Sequence, residues 1–175
     1  RERNKWLDQI VALIDSASEK DVVDITISPN VDGVCDTIEH RSLLSAIDRC
    51  KASVITRAGA LTTVGDVALW LSGDQLRYSK KMTAIFMRQP LTGYGGDIAD
   101  YERHNDAALQ SYREYSSYII ARGLFTKEEM DNMYETRGML ALFGKALEER
   151  VGKRHYLVHI HFIIDIRSHT GHDNF

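Results

Sequence analysis

The spacing of apolar positions divides the chain into short alternating elements. Trp6, Ile10, Leu13 and Ile14 recur at helical intervals and predict an amphipathic helix over 4–16. Val23, Ile25 and Ile27 alternate with Asp24 and Thr26, which predicts a strand over 22–27 ended by Ser28-Pro29-Asn30. A second helix is expected over 34–49, with Val34, Ile38, Leu44 and Ile47 on one side. Ser53–Thr56 reads as a strand and Gly59 opens a loop. A buried helix follows at 64–72, closed by Gly73, and then short strands at 76–78 and 83–87. Helix alternating with strand through short links argues an α/β fold with a largely parallel sheet.

The second half has a different rhythm. A glycine-rich loop, Thr92-Gly93-Tyr94-Gly95-Gly96, precedes a long helix expected over 97–122 and ended by Gly123. Ile98, Tyr101, Ala108, Leu109, Tyr112, Tyr115 and Ile119 keep helical spacing on more than one side, so this helix needs a partner surface. Tyr112, Tyr115 and Tyr118 are placed by that pattern in a core, an interface or both, with the interface preferred. Thr126 starts a further helix, with Glu129 at the capping-box position. Residues 155–166 alternate again and read as a strand.

Composition narrows the function classes. The 175 residues fit one structural domain overall and carry a formal charge of −3. That balance argues against nucleic acid or an anionic membrane as the principal partner. No apolar run approaches the roughly 20 residues of a membrane-spanning helix. Cys35 and Cys50 are too few for a disulfide framework, so free thiols in a reducing cytoplasm are expected. The chain starts with Arg1, which leaves a preceding targeting signal and an organellar location open.

One stretch carries a recognisable motif. Phe86-Met87-Arg88-Gln89-Pro90-Leu91 leads through Gly93, Gly95 and Gly96 to Asp97-Ile98 and the long helix. It resembles the histidine loop of the Clp protease proteolytic-subunit (ClpP) family. There a strand ending in His-Gln-Pro runs through glycines into a long "handle" helix that opens with Asp-Ile. Ser28-Pro29 is similar to the Ser-Pro before that family's oxyanion glycines, and Glu128 to Leu140 resembles its helix leading to the catalytic aspartate. The resemblance covers roughly residues 5–150. It implies a ClpP/crotonase-like fold of repeated β-β-α units. Residues 1–91 and 138–175 would form the head and its tail, and 92–137 the protruding handle segment.

Carried over residue by residue, the family's serine falls on Thr63, its histidine on Arg88 and its aspartate on Arg137. The oxyanion glycines fall on Asn30 and Val31, and the substrate-channel strand on Gln89, Pro90, Leu91, Gly93, Gly95 and Gly96; a plain connector is the competing reading of that loop. A serine-type peptidase needs a base to take the hydroxyl proton and a carboxylate to orient the base. Arginine stays protonated and cannot be that base. The expectation is therefore a site with no intact triad, each arginine paired with an acid or a carbonyl. The resemblance implies a structural or regulatory subunit of a ring assembled from like or mixed subunits. A ring ATPase of the AAA+ unfoldase class would be its partner. No cofactor is expected.

Two rival activities remain. An active serine-type or threonine-type endopeptidase could use Thr63 on polypeptide substrates, with Lys80 or Lys81 as base, though both lysines also read as solvated turn residues. A crotonase-fold acyl-CoA-binding protein is the other. His159, His161 and Asp165 share one face of the C-terminal strand at a spacing that chelates zinc, but a polar strand face explains them as well, so no metal is assigned. His155 lies on the same face.

Overall fold

The computed structural model describes residues 2–27, 37–79, 81, 83–88 and 97–152. Asn30, Val31, Lys80, Cys35 and the Gln89–Gly96 loop lie outside the described residues, as does the strand expected at 155–166. The elements run α1 (Glu2–Ser16), β1 (Val22–Ile27), α2 (Thr37–Arg49), β2 (Ser53–Ala58), β3 (Ala60–Leu61), α3 (Val64–Leu71), β4 (Gln75–Tyr78), β5 (Ala84–Arg88), α4 (Ile98–Ala121), α5 (Lys127–Thr136), β6 (Met139–Phe143) and α6 (Gly144–Gly152).

The strands form two sheets of three. In the first, β1-β2-β4, both pairings are parallel; in the second, β3-β5-β6, β3 and β5 are parallel and β6 runs antiparallel to β5. The parallel core expected from the alternation of elements is present, and β6 is the exception to it.

α3 is the hub. All eight of its residues are buried, as a helix apolar all round requires. Trp70, in its last turn, is fully buried, as are Leu61, Val67, Ile85, Met87 and Ile119. Thr56 on β2 donates its hydroxyl to the Trp70 carbonyl at 2.6 Å, tying the first sheet to the end of the helix. Gly73 closes the turn because a β-carbon there would lie 2.4 Å from Thr56 Oγ1. Asp74 then accepts from the Val54 amide at 2.8 Å and sets the register of β4 beside β2.

Two faces differ from the sequence reading. On α1 the buried seam runs through Leu7 and Ile14, with Ile10 and Val11 packed beside it, while Leu13 faces water. On α4, Tyr112 and Tyr115 belong to this chain's own core rather than to an interface, and Tyr118 is half-buried beneath the Arg122 guanidinium. The periodicity is that of a buried helix; the partner is α3 in the same chain. From Ile98 to Gln110 α4 shows no fully buried residue among those described.

Candidate active site

The second sheet decides where the candidate residues meet. Leu61 pairs with Ile85, and Arg88 pairs with Met139. Thr63 therefore follows the C-terminal end of β3, Arg88 ends β5 and Arg137 lies two residues before β6 begins. Parallel β3 and β5 and antiparallel β6 bring all three positions to the same end of one sheet.

Thr63 is the N-cap of α3. Its backbone is extended and its Oγ1 accepts from the Asp66 amide at 3.0 Å, satisfying one of the helix's free N–H groups. The residue is buried, so the hydroxyl is both occupied and shielded. Arg88 and Arg137 are exposed. Among the described residues neither guanidinium has an ion-pair or hydrogen-bond partner, contrary to the expectation of an acid or carbonyl for each. Arg137 is the C-cap of α5 in left-handed conformation, φ 52°. Its N–H reaches the carbonyls of Met133 and Tyr134, and Gly138 donates back to Met133, closing the helix where a glycine would normally take the positive φ.

Sequence reasoning missed the pair directly behind Thr63. His40 of α2 and Asp66 of α3 are both buried, with Nε2 and Oδ1 3.1 Å apart. The imidazole ring lies over Gly65, where a β-carbon would stand 2.8 Å from its Cδ2, and meets Tyr115 of α4 edge-on at 6.3 Å. Asp66 Oδ2 finds no hydrogen-bond partner among the described residues. His40 shares the apolar face of α2 with Leu44 and Ile47, and that spacing is the one signal that could have flagged it.

The site thus contains a threonine hydroxyl committed to capping, two cations and one histidine that turns its nitrogen to Asp66. None of the described hydrogen bonds runs from a base to Thr63. Lys81 is exposed. Among the described residues no group of three or more His, Cys, Asp or Glu could hold a metal ion. Likewise, none of the described helices is long and apolar enough to cross a membrane.

Comparison with solved structures decides the fold. It is a peptidase-like fold. A crystal structure of a peptidase from Plasmodium falciparum superposes with a TM-score of 0.66, covering 89% of this chain and 88% of that one at 12% sequence identity. No family model matches the sequence, and neither does any curated protein. The fold is therefore shared in three dimensions and almost unreadable by identity.

Proposed function

We propose that this chain is a non-catalytic relative of the Clp proteolytic subunits, structural or regulatory within a ring-shaped Clp-type protease complex. The observation that carries the reading is the chemistry at one end of the second sheet. Thr63, Arg88 and Arg137 lie at that end in a peptidase-like fold, and under this reading the guanidinium of Arg88 stands where the family keeps its base. A guanidinium holds its proton at neutral pH and cannot take one from the threonine hydroxyl. Removing a single member of a triad already lowers kcat by orders of magnitude, and this reading has all three replaced. The ClpP/crotonase-like arrangement, the handle role of α4 and an AAA+ unfoldase as partner belong to the same proposal. The long helix after the Gln89-Pro90 loop supports them.

The test is labelling with a fluorophosphonate probe together with hydrolysis of an unstructured protein substrate. The wild-type chain is expected to give neither. The variant Thr63→Ser/Arg88→His/Arg137→Asp, shown folded by circular dichroism, serves as the positive comparison. Wild-type labelling at position 63, or cleavage abolished by Thr63→Val, overturns the proposal in favour of an active threonine-type endopeptidase. A thermal shift with acyl-CoA compounds would redirect it to thioester binding.

A further inference from the structure

Two guanidinium groups share the end of the second sheet at which α3 begins. Arg88 is the last residue of β5 and pairs with Met139, the first residue of β6; only Gly138 separates Met139 from Arg137. Both arginines are exposed, so solvent reaches their side chains. Both backbones are fixed. Arg88 stands in the antiparallel ladder with β6, and Arg137 is held as the C-cap of α5 by its N–H to the Met133 and Tyr134 carbonyls.

The chemistry of this pair selects its ligand. A guanidinium stays charged and presents its donors as a planar fork that matches two oxygens of a carboxylate or a phosphate. Two such forks on fixed backbones can grip one oxyanion from two sides, and an anion between them offsets their mutual repulsion. The N-terminus of α3, capped by Thr63, adds partial charge of the same sign. The acid in the first turn of that helix, Asp66, is buried and turns its Oδ1 to His40 at 3.1 Å.

We propose that Arg88 and Arg137 form an oxyanion-binding site, which takes a carboxylate or phosphate group of a ligand at the end of the second sheet. The site holds the group and performs no chemistry on it. The inference rests on where β5, α5 and β6 place the two arginines and not on the loss of catalysis or on a ring, so either reading can fail without the other.

Magnetic resonance spectra of the arginine Nε–H groups, recorded on the full chain during titration with inorganic phosphate and separately with N-acetyl-tetra-alanine, test it. Expected are shifts at Arg88 and Arg137 that follow one saturable curve and weaken as salt is raised, while exposed Arg113 of α4 stays in place. A response to the peptide acid and not to its C-terminal amide assigns the site to a free carboxylate; a response to phosphate alone assigns it to a phosphoryl group. Both support the proposal. Arg88→Gln and Arg137→Gln should each weaken binding by about 10-fold or more, with urea unfolding as the check that each variant is folded. Arg137→Lys should lose affinity too, because an ammonium lacks the fork. The wild-type titration alone can overturn the proposal: by separate curves for the two arginines, by shifts at Arg113 as large as theirs, by equal response to the peptide acid and its amide, or by no saturable shift with either anion.

Discussion

At the scale of single residues, the site positions hold structural roles that predict measurable effects. Arg137 is the one non-glycine with positive φ among the described residues. A side chain in left-handed conformation costs roughly 1–2 kcal/mol, against which glycine loses roughly 0.5–1 kcal/mol of chain entropy. Arg137→Gly should therefore stabilise the fold by about 0.5–1 kcal/mol in urea unfolding, an outcome opposite to that expected at an essential active-site residue. Gly65 answers to the reverse logic. Gly65→Ala pushes a methyl group into the His40 ring and should cost about 1–3 kcal/mol, the usual range for overpacking. Pairing it with His40→Ala should recover part of that loss, so a double-mutant cycle will show non-additivity; strict additivity would mean the two do not touch.

At the scale of elements, α5 is the best-specified part of the chain. Its capping box is complete: Thr126 Oγ1 accepts from the Glu129 amide at 3.2 Å, and Glu129 accepts from the Thr126 amide at 2.8 Å. The same carboxylate accepts two bonds from Arg150 of α6, at 2.6 and 2.9 Å, and Arg150 also donates to the Leu124 carbonyl. The Arg150 guanidinium, helped by the Thr126 amide, holds the Glu129 carboxyl below its ordinary range. A depressed folded-state pKa gives stability that is fully present above the unfolded value and is lost as pH falls through the folded one. Wild-type stability should thus decline below about pH 4, and Glu129→Gln should be less stable at pH 7 and flatter across that acid window. Parallel pH profiles for the two proteins would refute this assignment.

This junction also shows what was legible in the sequence. The Thr126–Glu129 box, Gly123 with its positive φ and the span of α4 could be read from spacing, because each is a local rule. Arg150 at Glu129, 21 residues apart, could not. β3 has two residues and β6 lacks alternation, so both exist only through their pairing with β5. Likewise, the threonine at position 63 could be aligned from sequence, but the His40–Asp66 contact spans 26 residues and arises from α2 packing on α3. Periodicity told which side of α4 is buried and left its partner unspecified; Tyr112 meets Met130 and Tyr134 of α5, and Tyr115 meets His40 of α2.

At the scale of the whole molecule, the outer face of the second sheet stays apolar and uncovered by the described residues. Phe86 and Phe143 stack with centroids 6.2 Å apart, and Met139 and Phe143 are each 59% exposed. Under the ring reading this face is a candidate subunit contact. If the ring reading holds, Phe86→Ser combined with Phe143→Glu should shift the protein to smaller species in multi-angle light scattering, with helical content preserved. An unchanged mass would place the subunit contacts elsewhere.

The division of α4 into a rooted half and a less buried half has a mechanical consequence. Thirteen residues from Ile98 to Gln110 amount to about 20 Å of helix with no fully buried residue among those described, while Tyr112, Tyr115 and Ile119 hold the remainder in the core. Such a beam is anchored at one end. Whatever grips its tip pulls, through Tyr115, on the imidazole over Gly65 and so on the turn that bears Thr63.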